Sequence, residues 1–374
     1  MTMEYRLVSA DSHINEPPRL WLDRLPAKFA ERAPHIERLE EGDAWIMEGA
    51  LDPINFGGNC SAGIPLAQRQ AWIEWDEVRP GGYQPAPRLE DQHADGVDAE
   101  VLYPTPRVSN QLFWNAGDHE FHVACIRAYN DWLSEFASYA PERLWGVAMI
   151  PNSSVGEAVA EATRALELPG IRGVMIGQYP HGGTEIAAED DALWGLLAER
   201  RAPVSIHVSF ATEPQGDKRR LKIRSDTRFY DAPVRIGQFI TSGAFLRFPE
   251  LRLVLAEVDS SWLPYLAEQM DDRYKRTVEG SRPEAILPSA YFARNIWSTF
   301  INDRYGIANR HWVGLDRMMW SSDFPHGGSD WPSSRAVLDE ACGGVPEAER
   351  HALAAGNVVG LYGLADEAII AAGS

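Results

Sequence analysis

The sequence predicts a closed (β/α)8 TIM barrel, an α/β fold of one domain over residues 1–374 with an insertion at 14–90. Three observations lead there. Eight short apolar strands alternate with stretches of helical periodicity, the signature of a parallel sheet with crossover connections. The first strand runs into Asp11-Ser12-His13 rather than the glycine-rich turn that a doubly wound open sheet, the alternative architecture, places there. Residues of metal-ligand type recur where strands end, the face on which such barrels carry their chemistry.

In chain order, strand one covers 5–12. Residues 14–90 then break the alternation with several prolines, Trp45, Trp72 and Trp75, and the stretch Phe56-Gly57-Gly58-Asn59. That is too long for a plain connection, and it leaves the barrel on the side of the mouth, so it reads as a cap or lid. Strand two at 99–105 precedes a helix at 118–140, and strand three at 144–151 precedes one at 154–167, capped by Ser153 or Ser154. Strand four (171–177) leads to a helix at 189–200, strand five (203–209) to 232–247, and strand six (251–258) to 260–279. Strand seven (295–301) leads to 303–311 and strand eight (318–324) to two closing helices at 332–341 and 346–356.

Composition narrows the function. Lys+Arg number 35 against 54 Asp+Glu, a net charge of −19, which argues against nucleic acid or an anionic membrane surface as partner while leaving room for a small anionic substrate. Cys60, Cys125 and Cys342 are too few and too scattered for a disulfide framework or a thiolate metal site. They suit a reducing compartment, so the expectation is a cytoplasmic protein, without signal peptide or membrane span and acting as a homo-oligomer on a small molecule.

Asp11 and His13 are two apart on strand one, so both can point into the mouth. On strand five, Val204, Ile206, Val208 and Phe210 form an apolar face for the outer helices, leaving His207 on the inner one. Strand eight opens into a loop at Ser322-Asp323-Phe324-Pro325-His326, offering Asp323 as a further donor. A lone inward histidine is commonly a satisfied core residue. Recurrence at three strand ends that converge on one mouth reverses that reading. Asp11, His13, His207 and Asp323 make a mixed nitrogen and oxygen set suited to a divalent metal, zinc first and manganese as alternative.

These motifs resemble the amidohydrolase-related family 2 of metal-dependent barrels, and within it the aminocarboxymuconate-semialdehyde decarboxylase group. Smaller echoes are Asp95-Gly96-Val97-Asp98, Tyr103-Pro104-Thr105 and the stretch from Asn357 to Tyr362. The resemblance covers most of residues 5–364 and only loosely the insertion. It implies that Asp11 and His13 are the strand-one ligand pair, often His-x-His in the family, that His207 is the strand-five ligand, and that Asp323 both ligates and transfers protons. One departure stands out. Many decarboxylases of the group have a catalytic histidine on strand six, where this chain reads Ala256-Glu257-Val258-Asp259. Glu257 is then expected to be a ligand, proton shuttle or supporting partner, ionised beside the cation.

Further candidates are His326, for proton transfer or loop structure, and Arg107, for a bidentate grip on a substrate carboxylate. Trp262, Trp331 and Trp75 could floor an aromatic pocket, Glu16 could accept from a ligating imidazole or cap a helix, and His181 lies in a solvated glycine-rich turn. The resulting expectation is non-oxidative decarboxylation of an aromatic or conjugated carboxylic acid, with Asp323, His326 or Glu257 as the acid. The alternatives are hydrolysis of an amide, lactone or C–C bond by an activated water, and a non-catalytic binding protein.

Overall fold

The computed structural model describes residues 4–211 and 228–363. Eight parallel strands lie side by side in sequence order: β1 (Val8–His13), β2 (Ala99–Tyr103), β3 (Leu144–Met149), β4 (Ile171–Met175), β5 (Val204–His207), β6 (Leu253–Ala256), β7 (Ile296–Phe300) and β8 (Met318–Trp320). β8 returns to β1 through bonds from His13 N to Phe324 O (2.7 Å), Asp323 N to Asp11 O (3.0 Å) and Ser322 N to Ser9 Oγ (2.8 Å), so the sheet curls into a nearly closed barrel. Among the described residues no helix is long and apolar enough to cross a membrane.

Sequence periodicity located the strands but overran several of their ends, and the backbone shows why. Val208 (φ 59°), Glu257 (φ 57°) and Asp323 (φ 54°) adopt left-handed conformations at or just beyond the ends of β5, β6 and β8. Such dihedrals are sterically poor for residues with a Cβ and cannot continue a pleated ladder. The helix expected at 232–247 divides into Arg228–Thr241 and Ala244–Arg247 at Gly243 (φ 77°), and that at 303–311 divides at Asn309. Ser154, rather than Ser153, caps Val155–Ala165, accepting from Glu157 N at 3.3 Å.

Facing sides follow from register. Ser205 pairs with Val254 and His207 with Ala256, so Val254 and Ala256 share the inner face with His207. Leu253 and Leu255 instead pack with Trp194, Phe239 and Phe245 of the outer helices. Simple alternation from strand six, with Leu253 and Leu255 inward beside Glu257, therefore fails. The left-handed backbone at Glu257 is what turns its side chain back toward the mouth.

The stretch 14–90 holds a three-stranded antiparallel sheet (His35–Arg38, Asp43–Ile46, Ile54–Asn55) and short 3-10 turns. Trp21 meets Trp45 edge-on at 5.2 Å and donates to Cys125 O on the helix His119–Ala137, which anchors the insertion to the barrel wall. Its last helix, Pro85–Asp95, delivers Arg88 into the seam between β1, β2 and β8. Arg88 is fully buried and binds Glu100 on β2 with Nε (2.6 Å) and Nη2 (3.1 Å), and His13 O with Nη1 (2.8 Å). Glu100 also accepts from Gln92 (2.7 Å) and Ser12 (3.0 Å), while the guanidinium stacks 4.6 Å from the Phe324 ring. Removing one partner leaves an unpaired buried charge, so Arg88→Met should lower the free energy of urea unfolding by about 3–5 kcal/mol. Adding Glu100→Leu to that variant should restore more than half of the loss. A single-mutant loss below about 1 kcal/mol would show that the pair does not hold the seam.

Candidate metal centre

Three strand ends bring four donors into one buried cluster. Asp11 and His13, both inaccessible, come from β1; His207 comes from β5; Asp323 comes from the loop after β8. His13 Nε2 lies 3.0 Å from His207 Nε2, 3.5 Å from Asp11 Oδ1 and 3.4 Å from Asp323 Oδ1. His207 Nε2 lies 3.3 Å from Asp11 Oδ1. Donors bound at about 2.0–2.2 Å to a single ion are separated from one another by roughly 3–3.5 Å, so Asp11, His13 and His207 are spaced for a shared cation, while Asp323 joins through His13 and His326.

The donors are chemically ready. Pro104 O can only accept, and it lies 2.9 Å from His13 Nδ1, so the ring proton sits on Nδ1 and Nε2 presents a lone pair. Asp11 Oδ1 and Asp323 Oδ1 are buried without a well-directed hydrogen bond, a costly condition that a cation relieves. Burial, reinforced by His326 and His207, pushes the pKa of His13 well below the usual value. Burial also opposes protonation of His207, but Asp11, Glu257 and Asp323 outweigh it and push its pKa up to about 9. These residues fit a divalent metal.

Around the donors, His326 stacks on His13 (centroids 3.9 Å apart, 18° between planes), with Nδ1 2.8 Å from Asp323 Oδ1. Glu257 Oε2 is 3.9 Å from His207 Nε2. Burial first, then Asp323 and Asp11, push the Glu257 pKa up to about 7, against the opposing pull of His207. The protein's own groups thus raise the carboxyl that sequence reading expected to be ionised; a bound cation works the other way. The backbone N of Glu257 donates to Thr299 Oγ1 (2.7 Å), which in turn reaches Asp11 Oδ2 (3.4 Å). Sequence reading passed over Thr299, although the polar pair Ser298-Thr299 inside a buried strand was a signal. It named Tyr103 only within a family echo and gave it no place in the site, where its hydroxyl meets Ser205 Oγ at 2.8 Å and its ring lies 5.3 Å from His207.

The remaining candidates sit elsewhere. Arg107 is exposed and donates from Nη1 to both oxygens of Asn55 (2.7 Å each), tying the insertion down. Trp262 donates to Val258 O (2.8 Å) and packs with the outer-helix core. Trp331 donates to Asp91 O (3.1 Å), under the Arg79 guanidinium and beside Phe324. Trp75 is sandwiched between Phe56 and Tyr83 within the insertion, and the imidazole of His181 pairs with buried Asp190 at 2.9 Å. Glu16 accepts from Thr105 N at 2.9 Å and is buried, which raises its pKa.

The sequence profile of the amidohydrolase family matches residues 11–364. Solved structures share the whole architecture at low identity. An amidohydrolase from Mycobacterium avium subsp. paratuberculosis superposes with a TM-score of 0.74 at 20% identity, covering 97% of this chain and 100% of its own. A 5-carboxyvanillate decarboxylase from Novosphingobium aromaticivorans, complexed with manganese and 4-hydroxy-3-methoxy-5-nitrobenzoic acid, gives 0.67 at 16% over 96% of both chains. A dihydroxybenzoic acid decarboxylase from Polaromonas, with manganese and 2-nitroresorcinol, gives 0.62 at 16% over 96% of this chain and 98% of its own.

The geometry makes a direct prediction: elemental analysis of purified protein should find about one divalent ion per chain through the four donors. A double variant, His13→Ala with His207→Ala, should lose it. Stoichiometric metal in that variant would contradict the assignment.

Proposed function

Because the chain belongs to the amidohydrolase family and its strand ends hold a donor set that fits a divalent ion, we propose that it is a metal-dependent carboxy-lyase. Its substrate is an aromatic or conjugated carboxylic acid, from which it releases carbon dioxide without oxidation. The observation that carries this reading is the clustering of Asp11, His13, His207 and Asp323 with two groups, His326 and Glu257, that can hold or move a proton. The shared fold of decarboxylases acting on hydroxylated and methoxylated benzoates supports it. The mixed nitrogen and oxygen donors suit zinc or manganese, and manganese in those two structures tilts our reading toward manganese.

Bound there, a divalent ion supplies fixed positive charge against substrate oxygens. The chain's own residues supply the rest. His326 Nδ1 lies 2.8 Å from Asp323 Oδ1, which places an imidazole able to move a proton against one of the donors. Glu257, with Oε2 3.9 Å from His207 Nε2, is the third group placed to carry a proton. A proton passes from one of these acids to the ring carbon bearing the carboxyl group. The bond from that carbon to the carboxyl carbon then breaks, its electron pair returns to the ring, and carbon dioxide leaves. Burial of the cluster excludes bulk water and strengthens each of these interactions. The insertion, whose segment at 58–69 lies on the loop bearing His326, serves in this reading as the cover of the mouth.

The test is a panel of hydroxybenzoates assayed for trapped carbon dioxide in parallel with ¹⁸O incorporation from labelled water. Carbon dioxide release without label is the expected result. Label in a product carboxyl group with no carbon dioxide would overturn the reading in favour of a hydrolase in which Asp323 deprotonates the attacking water. Glu257→Gln separates the candidate acids. It should reduce turnover by at least ~10²-fold with metal retained if Glu257 transfers the proton. Full activity with full metal content would place Glu257 outside the chemistry and leave the task to Asp323 and His326.

A further inference from the structure

The glycine-rich turn of the insertion takes part in the site. Phe56 O accepts from Asn59 N at 2.9 Å, closing the turn, and a Cβ at Gly57 would stand 2.2 Å from Gln70 O, so only glycine allows the two segments to approach. The turn is clasped to the loop after β8. Gly327 N donates to Gly58 O (3.1 Å), Ala62 N donates to Pro325 O (3.0 Å), and the Arg69 guanidinium donates to Gly327 O. Gly327 packs closely on its side, where a Cβ would stand 2.7 Å from Ser61 Oγ. From below, Asn15, two residues past His13, donates to Asn59 O at 3.2 Å. Two close glycine contacts and bonds from three directions therefore fix the backbone of Asn59, and its side-chain Nδ2 lies 3.1 Å from His326 Nε2.

An amide nitrogen has no lone pair to offer, so Asn59 donates and Nε2 of His326 must present its lone pair. The ring proton then sits on Nδ1, the edge that faces Asp323 Oδ1 at 2.8 Å. We propose that Asn59 is a positioning residue for His326: it selects the Nδ1-protonated ring and holds it stacked on His13, so the site is assembled only when the insertion is seated. This rests on the reading of the cluster as a proton-transferring centre and adds the element that orients one of its members. Without the amide, the imidazole is free to turn about its outer torsion and Nδ1 is no longer kept on the side of Asp323.

The experiment is a double-mutant cycle on the metal-loaded enzyme with Asn59→Ala and His326→Gln, alone and together. Asn59→Ala should lower kcat by about ten- to a hundredfold, the scale of a displaced catalytic group, with KM, metal content and Tm unchanged. In the His326→Gln background it should cost nothing further. Asn59→Ser, which keeps a donor, should recover part of the rate. An equal loss in both backgrounds, or an unchanged kcat, would overturn the proposal. A second arm does not depend on the reaction: ¹⁵N NMR of histidine-labelled, zinc-loaded protein should show His326 protonated at Nδ1, and Asn59→Ala should abolish that preference. An Nε2-protonated ring in the unaltered protein would overturn the proposal. Failure of every acid in the substrate panel would count against decarboxylation, while the NMR arm would still decide the role of Asn59.

Discussion

Two imidazole nitrogens face each other at 3.0 Å in a space that also receives Asp11 and Asp323. At least one of those nitrogens, on His13, carries a lone pair, because its other nitrogen is committed to Pro104 O. Buried lone pairs and carboxylates gathered together repel one another strongly at low dielectric. Positive charge at its centre relieves that repulsion, and the surrounding structure holds the donors in place. Arg88 does so through the backbone of His13, and Thr299 does so by linking Asp11 to Glu257. Asn15 and Asn59 extend the same framework into the insertion.

The barrel concentrates its backbone strain at the same place. Left-handed residues other than glycine follow His207 and Ala256, and Asp323 is itself one of them. Each conformation costs of order 1–3 kcal/mol, and each ends a strand while redirecting the chain at the mouth. For Glu257 the effect on chemistry is direct. Regular alternation after Ala256 would have sent its carboxylate toward the outer helices, and the left-handed turn brings it to within 3.9 Å of His207.

That strain also marks the boundary of what the sequence discloses. The alternation of Ser205 and His207 with Val204 and Ile206 was legible, because the strand is regular up to His207. The inward face of β6 was not, because one dihedral at Glu257 inverts the parity that pattern reading relies on. Arg88 and Glu100 escaped notice for another reason. Each looks like an ordinary surface charge until the insertion's last helix is folded against β2 and the two bury each other. Asn59 was visible only as part of a glycine-rich stretch, since its partner His326 lies 267 positions away. The candidate aromatic residues Trp75 and Trp331 went instead to packing the insertion and joining it to the barrel, the more frequent fate of a large ring.

The shared cation is the claim on which the rest stands, and X-ray absorption at the metal edge of the purified protein tests it most directly. The account predicts an ion surrounded by nitrogen and oxygen alone at about 2.0–2.2 Å, with the multiple-scattering signature of two imidazoles that disappears in His13→Ala with His207→Ala. An ion with sulfur among its nearest neighbours, or a spectrum unchanged by that double substitution, would contradict it.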